Sequence, residues 1–302
     1  MTKRNQAMAL GPIVVPTDFS PGAALALRRS AYLLPGRPAE IHIVHVVPAR
    51  APANKEIEAD LARHLAQAVA LVEKTSIDAG LETPAVTTSV RAGDAFVEIV
   101  RYARGVDADL IVLGRKGAGS GLRKVLGTTA ARVVRMSDTP VLIVGERPRG
   151  AYRRPLVALA LDSSERRLVS LVRAVCGASG NTVHGVHAYH VPFSGLLPPG
   201  SDASPSLHHR QVREQVAQML EKHLEILNRA GTRVRATLRH GDARLAIRDE
   251  AMRRDADLIA LGTHGRSGIA HALLGSVAEW VVMNTAKDVL IARPVRFTFK
   301  EP

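Results

Sequence analysis

Cysteine is almost absent from this chain of 302 residues, which contains only Cys176. A single thiol cannot form a disulfide within the chain, so a small extracellular domain held by disulfides is excluded. We therefore expect a reducing compartment, the cytoplasm. Cys176 lies in an apolar, helix-like stretch, and we expect it to be a buried and inert thiol.

Aromatic residues and long apolar runs are also scarce. Phe, Trp and Tyr together make up 3% of the chain, and the apolar runs are short, for example residues 41–47 and 109–114. A membrane-spanning helix needs roughly 18–20 apolar residues, so no membrane span and no membrane partner are expected. A core with few aromatics must be built from Val, Leu, Ile and Ala, which is typical of a parallel sheet buried on both faces.

Acidic residues are outnumbered by basic ones. The chain has 41 Lys and Arg against 28 Asp and Glu, a formal net charge of +13. Such a balance favours anionic partners, namely a nucleotide, a nucleic acid or an acidic surface, without choosing between them. The lack of aromatic clusters argues against stacking on single-stranded nucleic acid.

An internal repeat organises the sequence. Residues 91–144 align with residues 239–292 without a gap at an offset of 148, and 22 of the 54 positions are identical. Repeats of this kind indicate duplicated structural units. We predict two similar domains, 1–148 and 149–302, joined near 145–155, a segment rich in Pro, Gly and Arg as a short linker would be.

Each repeat alternates apolar runs with helix-like stretches. In the first repeat the runs fall at residues 12–17, 40–47, 84–90, 109–113 and 140–144. Ser20-Pro21 is a helix-start signal, with Ser as the N-cap and Pro at the first helical position. Five strands alternating with helices predict an α/β fold in which each domain is a doubly wound parallel sheet.

A glycine-spaced loop follows the fourth strand of each repeat. The spacing G-x2-G-x9-G-[ST] is the same in both copies, and its members are Gly114, Gly117, Gly127 and Thr128 in the first copy and Gly262, Gly265, Gly275 and Ser276 in the second. Parallel sheets bind ligands at the carboxyl ends of their strands. Glycine there allows positive φ and lets backbone N–H groups approach a phosphate, and the helix that follows attracts anions at its N-terminus.

Basic residues lie in the loops, namely Lys116, Arg123 and Lys124 in the first copy and Arg266, with help from His264, in the second. The loop is not a P-loop, because no Gly-Lys-Ser/Thr follows at the required spacing. It is not a dinucleotide fingerprint either, because Leu122 stands where the third glycine belongs and the loop follows strand four. A flexible glycine loop without a ligand remains the alternative for either copy.

An acidic residue lies near the end of the first strand of each repeat, Asp18 in PTDFS and Asp162 in ALDSS. A carboxylate there would face the same crevice as the loop and could accept a hydrogen bond from an adenine amino group or a ribose hydroxyl. The alternative is an Asp that only caps the following helix.

These residues together resemble the universal stress protein family in its tandem two-domain form, and the resemblance covers nearly the whole chain. It implies a five-stranded sheet of order 3-2-1-4-5 in each domain and packing of the two halves through their fifth strands. It also implies an ATP-binding branch of the family, since both copies keep the glycines. The residues that the resemblance implies to contact ATP are Asp18, Val46, Gly114, Gly117, Gly127, Thr128 and Thr129, then Asp162, Ala188, Gly262, Gly265, Gly275, Ser276 and Val277. Lys116 and His264, as basic residues of the two loops, are further candidates for binding the nucleotide.

Three functions remain open at this point. The first is a module for stress response or signalling that binds ATP, with or without Mg²⁺, and turns over little or none of it. The second is a slow ATPase or autophosphorylating enzyme, and the third is a basic protein that binds nucleic acid or an acidic partner. No catalytic residue is predicted, because no Ser-His-Asp arrangement or repeated carboxylate pair is recognisable.

The sequence predicts no metal site, and it predicts association through strand edges. His184, His187 and His190 alternate across a strand and do not converge, so no metal site is predicted. Exposed strand-five edges at 140–144 and 288–292 invite pairing, within the chain as a pseudo-dimer and between two chains as a homodimer.

Overall fold

The computed structural model describes residues 10–33, 40–50, 54–116, 126–162, 164–177, 182–191, 205–229, 233–263 and 274–293. In the first half, strands and helices alternate as β1 (Ile13–Pro16), α1 (Pro21–Ala31), β2 (Glu40–Val47), α2 (Lys55–Asp78), β3 (Ala85–Ala92), α3 (Ala95–Gly105), β4 (Leu110–Gly114), α4 (Thr128–Met136) and β5 (Val141–Val144). The second half contains β6 (Pro155–Ala158), α5 (Glu165–Cys176), β7 (Val183–Tyr189), α6 (Pro205–Arg229), β8 (Val234–His240), α7 (Ala243–Arg253), β9 (Leu258–Gly262), α8 (Ser276–Asn284) and β10 (Asp288–Ala292).

All ten strands form one sheet, in the order β3-β2-β1-β4-β5-β10-β9-β6-β7-β8. Within each half the strands are parallel and follow the order 3-2-1-4-5, so the predicted α/β class and topology are confirmed. The halves meet where β5 pairs antiparallel with β10, with Leu142 opposite Leu290. The strand-five edges are therefore joined within the chain, and β3 and β8 form the outer edges of the sheet.

The local sequence explains the helix starts. Ser20 caps α1 as predicted, with its side chain accepting from the N–H of Ala23 and Pro21 in the first turn. Asn54, Asp94 and Asp242 cap α2, α3 and α7 in the same way. Such caps satisfy amides that have no partner within the helix.

Aliphatic side chains fill the space on both faces of the sheet. Ile13, Val14 and Val15 of β1 are fully buried, and the central strands β4, β5, β9 and β10 are buried over nearly their whole length. Cys176 is buried at the end of α5, and burial raises the pKa of its thiol to about 12. The expectation of a buried thiol is confirmed.

The segment that joins the two halves is tied down by one buried carboxylate. Asp288, at the start of β10, accepts hydrogen bonds from the backbone N–H of Gly145 (2.8 Å) and from the hydroxyl of Tyr152 (2.5 Å). Arg29 of α1 completes the group, with its Nε 3.0 Å from Asp288 and its guanidinium over the Tyr152 ring. The segment 145–152 and helix α1 thus both contact Asp288, which fixes the joining segment against β10.

Two arginines hold the halves together from opposite directions. Arg115, just after β4, donates to the backbone carbonyls of Val282 and Lys287 in the second half. Arg293, just after β10, donates to the carbonyls of Val134 and Arg135 in the first half. Val134 and Val282 are equivalent residues of α4 and α8, so each half places a cation at the C-terminus of the other half's helix, where the helix dipole favours positive charge.

The two arginines do not occupy equivalent positions in the repeat. Thr263 stands at the position of Arg115, and Gly145 stands at the position of Arg293. Burial lowers the pKa of both guanidinium groups, that of Arg293 to about 10. The interface is therefore only approximately symmetric.

No helix in the described part of the chain is long and apolar enough to cross a membrane.

Candidate functional site

Both crevices lie at the carboxyl ends of the parallel strands, where the fourth strand of each half gives way to the glycine-spaced loop. In the first half the N–H of Gly127 donates to the carbonyl of Arg115 at 2.8 Å, which closes the base of the loop. In the second half Gly275 and Thr263 make the same bond at 2.9 Å. Gly117, His264 and Gly265 were also predicted site residues and lie outside the described residues.

The helices that follow the loops begin without a side-chain cap. Gly127 precedes α4 and Gly275 precedes α8, and neither can offer a side-chain acceptor. The first helical amides, those of Thr128 and Thr129 in α4, therefore need an acceptor from outside the helix. The helices α1, α2, α3 and α7 each use a side-chain cap, and α5, which begins after Ser164, has none. What sets α4 and α8 apart is that each begins at a glycine just after the loop, at the place where an anion is expected.

The two helix starts are closely matched. Gly127 and Gly275 have φ of −59° and −57°, and both have ψ of 147°. Thr128 and Ser276 are exposed, so their hydroxyls are accessible at the mouth of each crevice, while Thr129 and Val277 are half-buried. The predicted residues at the two helix starts therefore occupy equivalent places.

Three of these glycines do not use the positive φ that glycine permits. Gly114, Gly127 and Gly275 all have an ordinary backbone conformation. At Gly114 the requirement is contact, because an added Cβ would lie 2.3 Å from the carbonyl oxygen of Gly22 in α1. An added Cβ at Gly275 would lie 2.6 Å from the carbonyl oxygen of Thr263.

Gly22 was not found by sequence reasoning. A Cβ at Gly22 would lie 1.8 Å from the carbonyl oxygen of Lys116, the last described residue before the first loop. The first turn of α1 therefore packs directly against the start of that loop. The residues around Gly22 give no sign of this contact, because Lys116 is 94 residues away in the chain.

The turn after the first strand of each half has the same shape. Phe19 and Leu161 both adopt a left-handed conformation, with φ of 60° and 62°. His45 places Nδ1 2.8 Å from the carbonyl oxygen of Thr17, and His187 places Nδ1 2.8 Å from that of Leu159. These two histidines, which the sequence identified only as equivalent, fix the end of strand one against strand two.

The equivalent residues of the two turns, such as Phe19 and Leu161, differ in number by 142. Ala160 is therefore the structural counterpart of Asp18. Asp162 lies two residues further along the turn. Its Oδ1 accepts from the N–H of Ser164 at 2.8 Å and from its hydroxyl at 2.5 Å. Asp18 is exposed, and its Oδ1 accepts from the N–H of Ser20 at 3.1 Å. The two acids are neighbours of equivalent crevices without being equivalent residues, and a nucleotide contact by either stays a prediction.

In the second half a buried acid contacts the turn after β6. Glu165, the first residue of α5, accepts from the backbone N–H groups of Ala160 and Leu161 and lies 2.5 Å from Nε2 of His223. Burial raises the pKa of the Glu165 carboxyl, and His223 opposes that rise. The carboxylate of Glu165 thus connects the turn after β6 to His223 of α6.

Val46 and Ala188 do occupy equivalent positions. Each follows the histidine that contacts the first strand, and each is half-buried. The ladder between β1 and β2 ends with Pro16 opposite Val44, so Val46 lies beyond it at the mouth of the crevice. Lys116 is half-buried at the start of the first loop.

No group of three or more His, Cys, Asp or Glu residues in the described part of the chain is placed to hold a metal ion.

Comparison with known proteins agrees with this architecture. A family model for the universal stress protein family matches residues 10–145 and 151–293. A universal stress protein of Mycobacterium tuberculosis is 28% identical over 310 residues, which cover 93% of this chain and 96% of the relative. One from Mycolicibacterium smegmatis is 26% identical over 299 residues, covering 93% and 97%.

Solved structures give the same result for the fold. The crystal structure of a universal stress protein from Archaeoglobus fulgidus superposes with a TM-score of 0.66 at 19% identity, covering 97% of this chain and 99% of that one. A protein of unknown function from Pseudomonas aeruginosa gives 0.65 at 20% identity, covering 95% and 93%. With both halves matched by the family model, the chain belongs to the universal stress protein family.

Proposed function

We propose that this chain binds ATP in two crevices, one in each half, and acts as a nucleotide-dependent module in a stress response. The observation that carries the proposal is the pair of helices, α4 and α8, that begin at glycine with no side-chain cap. An N-terminal turn of free amides at the carboxyl end of a parallel strand attracts phosphate through hydrogen bonds and the helix dipole. The triphosphate would accept from the amides of Thr128 and Thr129 in one crevice and of Ser276 and Val277 in the other.

The adenosine would lie across the ends of the first two strands. Asp18 places an exposed carboxylate there in the first crevice, and the backbone of Val46 lies at the same edge. In the second crevice Ala160 stands at the structural position of Asp18, and Asp162 lies two residues further along the turn. We infer from this difference that the first crevice binds adenosine more tightly than the second.

The net charge of +13 supports an anionic ligand in general. It does not single out a nucleic acid, and no described feature of either crevice favours hydrolysis over binding. Mg²⁺ would enter as the ordinary counter-ion of the bound triphosphate. Homodimerisation is a separate proposal, since the fifth-strand edges are already paired within the chain.

Titration calorimetry with ATP is expected to give two sites per chain of unequal affinity. Asp18→Ala should weaken the first site by about tenfold or more, because a hydrogen bond to a charged group contributes roughly 1.5–3 kcal/mol. Gly275→Ala should remove the second site, since the added Cβ meets the carbonyl of Thr263 and displaces the start of α8. Asp78→Ala, which alters an exposed acid on α2, serves as the control and should leave both sites unchanged.

The absence of binding heat in the unaltered chain would contradict the proposal. So would an unchanged pair of sites in both Asp18→Ala and Gly275→Ala.

A further inference from the structure

An apolar cavity of about 230 Å³ opens on the second half, at the end of the sheet opposite the crevices. It lies between the C-terminal parts of α7 and α8, over the start of β9. Its walls are formed by Ile247, Ala251, Met252, Ile259, Trp280 and Val281. The segment 284–287, which leads into β10, closes one side.

The equivalent place in the first half is bridged by an ion pair. Arg104 of α3 donates through Nε to both carboxylate oxygens of Asp138, at 3.2 and 3.1 Å, and spans the gap between the helices. Arg132 of α4 contacts the start of α3 instead, with its guanidinium 3.7 Å from the centre of the Phe96 ring and paired with Asp94. The Arg104–Asp138 ion pair therefore covers this position in the first copy.

Three of these polar residues are replaced in the second copy, while Asp94 is kept as Asp242. At the repeat offset of 148, Arg104 corresponds to Met252, Asp138 to Ala286 and Arg132 to Trp280. Met252 is 64% exposed, so the apolar wall of the cavity continues to the protein surface. Comparison of the two halves thus shows that the second half lacks the ion pair of the first half and has apolar cavity walls in its place.

The size of the cavity limits its ligand. An apolar cavity of about 150 Å³ holds a benzene molecule, and drug-sized ligands occupy roughly 300–1,000 Å³. A cavity of about 230 Å³ therefore fits one substituted ring or a short alkyl chain.

The rim of the cavity favours a ligand without charge. Arg248 is already paired with Asp249, at 2.8–2.9 Å. Lys287 lies between two acids, 3.6 Å from Asp255 and 3.8 Å from Glu146. A charged ligand would lose hydration on entering apolar walls whose neighbouring charges are compensated, and that loss is expensive.

We propose that this cavity is a second, nucleotide-independent binding site for a small neutral apolar molecule, of the size and class of a six-carbon alcohol or a monosubstituted benzene. Walls of Ile, Ala, Met and Trp supply the contact, and the side chains of Asn284 and Thr285 at the edge can meet one hydroxyl group. The site is independent of whether the crevices bind ATP.

Trp280 makes the test direct, because it is the only tryptophan of the chain and lines the cavity. Titration with hexan-1-ol is expected to change its fluorescence saturably, with a dissociation constant on the order of 1 mM for so small a ligand. The double variant Met252→Arg, Ala286→Asp rebuilds the bridge of the first half and should weaken binding by at least about tenfold, a change of 1.4 kcal/mol. Both positions are exposed, so the variant should fold, which circular dichroism checks.

Met219→Arg is the matched control, since it makes the same substitution at a half-exposed methionine on α6 and should leave binding unchanged. Hexanoate and hexylamine should bind at least about tenfold more weakly than the alcohol, because their charges would be desolvated. The proposal is overturned by no saturable signal in the unaltered chain, by equal binding to the bridged variant, or by equal binding of the charged analogues.

Discussion

Asp288→Ala is expected to lower the free energy of unfolding by about 3–5 kcal/mol, the usual result of breaking a buried ion pair from one side. The Asp288 side chain is 2% exposed and accepts from Arg29, Tyr152 and the backbone N–H of Gly145. Alanine would leave the Arg29 guanidinium as a buried charge with one remaining acceptor, the carbonyl of Gly150. The equivalent residue of the first half is Pro140, so the first half has no carboxylate at this position that could compensate for the loss of Asp288.

Guanidinium chloride unfolding followed by circular dichroism measures this loss. Asp288→Asn separates charge from hydrogen bonding, because the amide keeps one acceptor for Gly145 and loses the charge opposite Arg29. Asp249→Ala, at an exposed acid paired with Arg248, is the control and should change stability by less than about 1 kcal/mol. A loss as small as the control's for Asp288→Ala would show that the joint between the halves is not held by this carboxylate.

Gly22→Ala is expected to destabilise the chain by about 3 kcal/mol, at the upper end of overpacking costs. The new Cβ would lie 1.8 Å from the carbonyl oxygen of Lys116 and 3.0 Å from its carbonyl carbon, so either α1 or the start of the first loop must move. Because this contact is with backbone, no side-chain rotation relieves it. ATP binding at the first crevice should weaken as well, while the second crevice keeps its affinity.

Gly105→Ala is the matched control for this substitution. Gly105 ends α3, and an added Cβ there meets no atom within 4 Å. Alanine should therefore stabilise the helix by about 0.5–1 kcal/mol. Thermal unfolding of the two variants, with ATP titration of each, checks both expectations, and equal stability of Gly22→Ala and the unaltered chain would contradict the close packing of α1 on the loop.

Much of the fold could be predicted from the sequence because the evidence for it is local and repeated. Buried strands appear as short apolar runs, Ser20-Pro21 marks the start of α1, and the ungapped repeat over β4 and α4 fixes the equivalence of Gly127 with Gly275. Sequence patterns of this kind depend on a few neighbouring residues, so they can be recognised without knowledge of the tertiary structure.

Other features depend on contacts between distant residues and could not be predicted in this way. Asp162 appears equivalent to Asp18 by its neighbours, but the histidine contacts of strand two show that the turns differ in register by two residues. Gly22 and Asp288 gain their importance from Lys116 and from the joint, which are far away in the chain. Neither residue belongs to the repeated motif, and no spacing rule could have identified them.

Hydrogen exchange at the starts of α4 and α8 tests the central claim most directly. The free amides of Thr128, Thr129, Ser276 and Val277 should exchange more slowly when ATP is added, because the phosphates would accept their hydrogen bonds. Adenosine, which has no phosphates, should leave them unchanged even where it binds. Protection of all four amides by ATP alone is the predicted result, and saturation with ATP that leaves these amides unprotected would contradict the account.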